Sequence, residues 1–478
     1  MVKSVKKMSS STVGSLHQFT ENEVKEVRDK LLTWYDINHR VLPWRSVAAT
    51  EPDLNKRAYA VWVSEVMLQQ TQVSTVISYF EKWMRKWPSV ADLASASLEE
   101  VNQVWAGLGY YSRARRLHEG AIKIMKELNG EVPNDRDSLI RHLPGIGRYS
   151  GSAIASIALG CAVGVVDGNV NRVLARVRAI GADISVQSSA EHMWSLADKI
   201  VDPVRPGDFN QAIMELGATV CTPKTPTCSA CPLRLHCLAY RRSESQQEKV
   251  SITSHFIKGD EKRTTLPTSD VPDIECLSNC DLCLRQEDWD GSLGVQNYPR
   301  KAQKTKSRQE SSVVVILQSK NEKMLLVQRP KTGLLANLWE FPSIPLAQSD
   351  DPDEEVITQL VNQFGVPHSS ASSRTFISDV IHIFSHIRQT YKVFKISACD
   401  QRNVTWPSRY QDGQWMTKEE FLTSATSTAM KKVVKSLELS CEPKCKNNKK
   451  KKAGPLEQSL ETKKQKTISQ FFTSALKK

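Results

Sequence analysis

The chain has 478 residues, about three times the ~150-residue prior for one domain, so it can bury at least two substantial cores. Apolar residues make up 40% and charged residues 24%, ordinary globular usage that excludes wholesale disorder, a fibrous repeat and a disulfide-stapled miniprotein. The net charge of +13 is uneven, because residues 441–478 carry 11 lysines against 3 acids; a basic tail on a mildly basic body suits nucleic acid and disfavours small acidic substrates.

Residues 1–20 hold Lys3, Lys6 and Lys7 with no acid and no apolar run, and are expected to be a flexible N-terminus without a secretory signal. No stretch reaches the ~18–20 apolar residues of a bilayer span, so a soluble protein is expected. Over residues 21–240 apolar side chains recur at helical spacing, as in Val24, Val27, Leu31 and Trp34, with turn signals at Pro88, Gly107, Gly109 and Pro133. This predicts an all-α domain. Glu65 lies beside the apolar stripe Trp62, Val66, Val73 and Ile77, where burial would raise its pKa and retain a proton.

Leu143-Pro144-Gly145-Ile146-Gly147-Arg148-Tyr149-Ser150 places two glycines in a tight turn ahead of the small-residue helix Gly151 to Leu159. It reads as a helix-hairpin-helix. Gly145, Gly147 and Arg148 are its DNA-binding candidates, since glycine lets the backbone approach a phosphate and free N–H groups at a helix start favour an anion. Asp167, before Gly168, is placed to cap a helix starting near Asn169. Cys221, Cys228, Cys231 and Cys237 supply four thiolates at tight spacing, which suits either a 4Fe-4S cluster or structural zinc.

Residues 241–310 turn to Ser, Gln, Lys, Thr and Pro and read as an interdomain connector without a core. Within it Cys276, Cys280 and Cys283 offer three soft ligands, one short of the four that structural zinc prefers, so a fourth must come from elsewhere. Residues 311–437 change period: Val313 to Leu317 and Met324 to Val327 are short strand-like runs, and Ile381 to Phe394 resembles a hairpin. An α+β domain is predicted. Residues 438–478 read as a basic disordered tail. Its Lys449 to Lys452 run is a nuclear import signal or a solvated charge run, and Gln465, Ile468, Phe471 and Phe472 have the Gln-x-x-Ile-x-x-Phe-Phe form of a sliding-clamp (PCNA) binding peptide.

The hairpin, Val166-Asp167-Gly168-Asn169-Val170 and the Cys-x6-Cys-x2-Cys-x5-Cys loop together resemble the endonuclease III branch of the helix-hairpin-helix DNA glycosylases. Within that branch, Trp62-Val63-Ser64-Glu65-Val66-Met67-Leu68-Gln69-Gln70-Thr71-Gln72-Val73 and Gly107-Leu108-Gly109-Tyr110-Tyr111-Ser112-Arg113-Ala114-Arg115 are similar to the eukaryotic MutY-type adenine DNA glycosylases, a match spanning about residues 17–437. The resemblance implies a multidomain protein, an all-α glycosylase domain with a 4Fe-4S cluster on the four cysteines and an α+β Nudix-like domain behind it. It implies release of adenine, or 2-hydroxyadenine, mispaired with 8-oxoguanine or guanine in duplex DNA during base excision repair.

Adenine is a poor leaving group, so an acid must protonate a ring nitrogen while a carboxylate stabilises the oxocarbenium-like sugar. The resemblance makes Glu65 the general acid and water activator, Asp167 the carboxylate facing the sugar cation, and Asn169 and Tyr149 hydrogen-bonding partners. Tyr149 stands where bifunctional relatives carry a Schiff-base lysine; a phenol cannot form an imine, so strand cleavage is not expected. Gln70 and Tyr110 are implied to fill the space a flipped adenine leaves. His17 is implied as the fourth ligand of a zinc site with Cys276, Cys280 and Cys283, and Val271 to Glu275 as the contact for a checkpoint clamp and an AP endonuclease.

In the Nudix-like part, Leu334 to Pro342 carries the resemblance, while Glu354 to Gly365 lacks the Arg-Glu and Glu-Glu metal core that a Nudix hydrolase's glutamate-rich helix uses to bind hard metal ions. Nucleotide hydrolysis is therefore disfavoured, and Phe384, Ser385 and His386 match a loop that senses 8-oxoguanine. Asn337 replaces the usual glycine and is expected to hold the turn, because Asn tolerates positive φ. A monomer, in the nucleus and also directed to mitochondria, is the expected state. The rival readings are a bifunctional endonuclease III-like lyase, a noncatalytic lesion-binding scaffold and a Nudix nucleotide hydrolase.

Overall fold

A computed structural model describes residues 16–245, 280–300, 307–346, 354–366, 374–384, 386–399 and 404–441. Its first part is helical: α1 (Glu21–Asn38), α2 (Pro43–Thr50), α3 (Leu54–Leu68), α4 (Val73–Lys86), α5 (Val90–Ser95), α6 (Leu98–Trp105), α7 (Ser112–Glu127), α8 (Arg136–His142), α9 (Arg148–Leu159), α10 (Gly168–Val177), α11 (Gln187–Ile200) and α12 (Pro206–Thr219). Local chemistry fixes many of their starts. Thr20 with Glu23, Ser89 with Asp92 and Ser97 with Glu100 form capping boxes at α1, α5 and α6. The Asp53 and Asp167 side chains accept backbone N–H groups at the starts of α3 and α10.

α3 is the hub. Every residue from Ala58 to Met67 is buried, so this helix is enclosed on all sides instead of presenting one apolar stripe. The stripe expected around Glu65 is thereby corrected: α3 stops at Leu68, and Val73 and Ile77 lie on α4. Glu65 is dry because its whole helix is enclosed.

The helical domain has two apolar cores. Residues of α2 to α9 build one, including Trp62, Trp83 and Trp105; α1 and α10 to α12 build the other around Leu31, Leu174 and Leu216. The two meet along a seam between α3 and α9 on one side and α10 and α12 on the other, with contacts from α3 to α9 and from α9 to α12.

Composition marked residues 241–310 as a coreless connector, and residues 280–300 differ. Leu284, Val295 and Tyr298 join the second core; the Gly181 N–H donates to the Leu282 carbonyl at 2.8 Å, and Arg176 Nε donates to the Tyr298 carbonyl at 3.0 Å. Scattered apolar residues suffice here because the core they cover already exists. A Cβ at Gly181 would lie 2.4 Å from Leu284 Cβ, so only glycine admits this strap.

The C-terminal domain is a mixed sheet in the order β3-β2-β1-β6-β5, with β4 also on β1 and β7 on β2: β1 (Arg308–Ser319), β2 (Met324–Gln328), β3 (Trp339–Glu340), β4 (Ser343–Leu346), β5 (Arg374–Ile383), β6 (Ile387–Cys399) and β7 (Gly413–Met416). Period-2 alternation in β1 serves two layers. Val313, Val315 and Leu317 pack with helix Glu354–Asn362, and Val314 and Ile316 with helices Lys418–Thr423 and Thr428–Cys441. That second layer continues into the α2–α9 core. Polar contacts cross the same junction: Tyr111 Oη donates to the Thr426 carbonyl at 3.1 Å, and Arg115 Nη1 to the Lys331 carbonyl at 3.0 Å.

Candidate active site and metal centres

At the seam of the two helical cores lies a cavity of about 210 Å³ that brings Glu65, Tyr149, Asp167 and Asn169 together. Tyr149 Oη donates to Glu65 Oε2 at 2.8 Å, joining α9 to α3. Burial pushes the Glu65 carboxyl up to about 7; the Tyr149 hydrogen bond opposes that rise and the Asp167 charge adds to it. The Glu65 proton is retained well above the ordinary carboxyl range, and about half of these carboxyls still carry it at pH 7. Burial, reinforced by Glu65, raises Tyr149 well above the usual phenol value, so the phenol stays a donor.

Asp167 Oδ1 accepts the Val170 N–H at 2.7 Å, and its Oδ2 accepts Asn169 Nδ2 at 2.8 Å. Arg172 Nη2 in turn donates to Asn169 Oδ1 at 2.7 Å. Both oxygens of Asp167 are thus oriented by donors. Helix capping and a carboxylate facing the cavity coexist in one residue.

The same cavity is lined by residues that the sequence reading did not single out. Glu215, on α12, has no exposed side-chain surface, and Arg40 grips it with Nε at 2.6 Å and Nη2 at 2.9 Å while Arg45 Nη2 adds 2.9 Å. Burial acts to raise the Glu215 carboxyl, but the Arg40 and Arg45 hydrogen bonds and charges hold it below its ordinary value. One buried glutamate therefore keeps its proton and another keeps its charge within one pocket. The available signal was a lone glutamate in the apolar run Ala212-Ile213-Met214-Glu215-Leu216.

The hairpin forms as expected between α8 and α9. Gly145 has φ +79°, and a Cβ there would meet Arg116 Cδ at 2.5 Å; a Cβ on Gly147 would meet nothing within 4 Å, so the start of α9 is open. Arg148 Nη1 donates to Glu191 at 2.7 Å, and its guanidinium lies 4.2 Å from the Trp194 ring centroid. Gln70 and Tyr110 are exposed, each with positive φ. Tyr110 also borders a second cavity, about 430 Å³, between the two domains, whose other wall includes Asn337, His382, Phe384 and His386. Asn337 does adopt φ +61°. Gln411 Nε2 donates to its Oδ1 at 2.9 Å. Ser385 lies outside the described residues.

Cys221, Cys228, Cys231 and Cys237 line one largely apolar cavity with Val173, Val177 and Leu216. Arg176 Nη1 donates to Cys221 Sγ at 3.3 Å. Burial pushes the Cys231 and Cys237 thiols up to about 12, so a cationic centre must draw off their protons to be bound. The ligand atoms of His17, Cys280 and Cys283 all lie within 4.8 Å of one another. His17 Nε2 lies 3.2 Å from Cys283 Sγ, and its Nδ1 faces the Arg178 carbonyl at 2.8 Å. That carbonyl fixes the ring proton on Nδ1 and leaves Nε2 as the ligand atom. Both donor sets fit a metal centre. Cys276 lies outside the described residues, as do Val271 to Glu275, the Lys449 to Lys452 run and Gln465, Ile468, Phe471 and Phe472.

Residues 63–199 match the HhH-GPD superfamily of base excision DNA repair proteins, and residues 313–436 match the NUDIX domain. Fold and cavity thus define a class, a helix-hairpin-helix base excision repair enzyme with a Nudix-like domain behind it. Among known proteins, the chain is 51% identical over 432 residues to an adenine DNA glycosylase of Homo sapiens, covering 88% of this chain and 76% of that one. It is 46% identical over 473 residues to an adenine DNA glycosylase of Rattus norvegicus, covering 96% and 87%. A solved thermostable thymine-DNA glycosylase aligns at 25% identity over 46% of this chain and 98% of its own, with a TM-score of 0.41. The chain belongs to the adenine DNA glycosylase family.

Proposed function

We propose that the chain is a monofunctional DNA glycosylase that hydrolyses the N-glycosidic bond of adenine mispaired with 8-oxoguanine, and also with guanine, in duplex DNA. The carrying observation is the buried Glu65–Tyr149 pair, a proton-holding acid beside a phenol in the cavity that also holds Asp167. Glu65 gives its proton to a ring nitrogen of the extruded adenine as the C1′–N bond breaks, and the electron pair leaves with the base. The sugar cation is met by the Asp167 carboxylate. Water then adds at C1′ and returns its proton to Glu65. Glu215, held charged by Arg40 and Arg45, places a fixed negative charge in the wall of the same cavity. Among the described residues that line this cavity none is a lysine, which supports hydrolysis without strand cleavage.

Phe384 and His386 line the interdomain cavity with Tyr110, which supports recognition of the damaged base there, and Ser385 is assigned to the same loop from the sequence. A 4Fe-4S cluster is the reading for the four-cysteine cavity, supported by four sulfurs lining one apolar cavity in a chain of the HhH-GPD superfamily. Structural zinc is the reading for His17, Cys280 and Cys283 with Cys276. The tail peptide is assigned to a sliding clamp, and the connector to a checkpoint clamp and an AP endonuclease. A monomer in nucleus and mitochondrion is the proposed working state.

The test is a single-turnover assay on duplexes carrying adenine opposite 8-oxoguanine, guanine or thymine, for wild type and Glu65→Gln, with and without alkali. Cleavage of the 8-oxoguanine duplex only after alkali, lost in the variant, is expected. Strand cleavage without alkali would overturn the monofunctional assignment, and no release from any duplex would overturn the enzymatic one.

A further inference from the structure

Gln70 and Tyr110 come from different loops, one following α3 and the other preceding α7, and both have left-handed backbones, with φ 55° and 48°. L side chains rarely adopt that conformation, so the surroundings must impose it. One residue touches both surroundings. Arg113 Nη1 donates to the carbonyls of Val66 at 2.9 Å, Met67 at 2.9 Å and Gln69 at 2.6 Å. Its Nη2 donates to Thr71 Oγ1 at 3.2 Å and to the carbonyls of Leu108 at 3.4 Å and Gly109 at 3.1 Å. Gln69 and Thr71 flank Gln70, and Gly109 immediately precedes Tyr110. The guanidinium is buried, lies 5.4 Å from the Tyr110 ring centroid and also satisfies carbonyls at the end of the helix that carries Glu65.

We propose that Arg113 is a positioning residue that couples the two probe loops, so that Gln70 and Tyr110 enter the duplex as one unit in register with the α3 acid. The proposal rests on the reading of Gln70 and Tyr110 as the residues that replace an extruded adenine. The planar fork is what the geometry demands, since one nitrogen faces the α3 end and the other the loop before α7. A lysine brings a single ammonium and cannot face both. Burial lowers the guanidinium to about 10, which leaves it charged at neutral pH.

Coupling is measured with 2-aminopurine in place of the target adenine, opposite 8-oxoguanine, reading the rate of its fluorescence rise on unstacking. Gln70→Ala, Tyr110→Ala and the double variant are compared in the wild-type and Arg113→Lys backgrounds, with a cooperative melt required of each protein. In the wild-type background each single change is expected to slow unstacking about tenfold and the double little more than the worse single. With Arg113→Lys the two effects should multiply towards about a hundredfold relative to that background. Multiplication already in wild type, or unchanged coupling with Arg113→Lys, overturns the proposal. Should Arg113→Lys fail to fold, Thr71→Val, which removes one of the six hydrogen bonds, must weaken the coupling; unchanged coupling there also overturns it. If wild type releases no adenine and unstacks no probe, the underlying assignment of function fails instead.

Discussion

A carboxylic acid that must keep its proton at neutral pH needs a dry site, and Glu65 has one inside the most enclosed helix of the domain. Base release should therefore fall as pH rises through about 7, as Glu65 loses the proton it must donate. A pH profile of the single-turnover rate checks this. Stability follows the same proton. The folded value of about 7 exceeds the ordinary 4.5, so the folded state binds the extra proton between those values, and this group lowers stability progressively as pH rises across that window. Glu65→Gln removes the burden and should stabilise the protein at pH 8, by up to roughly 3 kcal/mol, with little effect at pH 4. Melting curves at the two pH values decide it. Asp167 separates differently: asparagine caps a helix about as well as aspartate but carries no charge. Asp167→Asn should abolish base release while shifting stability by only about 1 kcal/mol, measured by denaturant melts.

Among the elements, the seam between α3 and α9 and α10 and α12 does the assembling, because each side carries one part of the constellation. The strap of residues 280–300 covers the second core at the point where Arg176 also holds the cysteine loop, donating to the Thr222 carbonyl at 2.8 Å. Gly181→Ala would force a Cβ against Leu284 and lift the strap. We expect a loss of about 1–3 kcal/mol and of bound zinc, while the visible absorption of the cluster persists; melting and metal analysis report both. A zinc content equal to wild type would mean that the strap docks independently of Gly181.

For the whole molecule, the junction joins the C-terminal domain to the loop that carries Tyr110. Tyr111 Oη accepts the Gly107 N–H at 3.2 Å and donates to Thr426, so one hydroxyl joins the Tyr110 loop to the C-terminal domain. Nearby, Glu99 meets the Ala425 backbone and Trp339. Tyr111→Phe should cost about 1 kcal/mol of stability and lower the preference for adenine opposite 8-oxoguanine over guanine, read as a ratio of single-turnover rates. An unchanged ratio would show that the domains read their substrates independently. For the proposed clamp-binding peptide, Phe471→Ala with Phe472→Ala should abolish sliding-clamp pulldown and leave base release at the wild-type rate.

The sequence by itself determined what near neighbours decide. The two-glycine turn, the cap at Asp167, the four-cysteine spacing and the strand-like run Val313 to Leu317 depend on residues within a few positions of one another, where backbone geometry leaves few choices. The positive φ of Asn337 was legible for the same reason. Tertiary structure decided whatever depends on which surfaces meet. Tyr149 finds Glu65 across 84 residues, and Arg40 finds Glu215 across 175. No local pattern encodes those separations, and each residue type also occurs on ordinary helix surfaces. Residues 280–300 looked coreless because their apolar partners belong to helices far away in the chain. Arg113 was visible only as one basic residue in a motif; that it spans two loops is a property of packing, which places the end of α3 beside the start of α7.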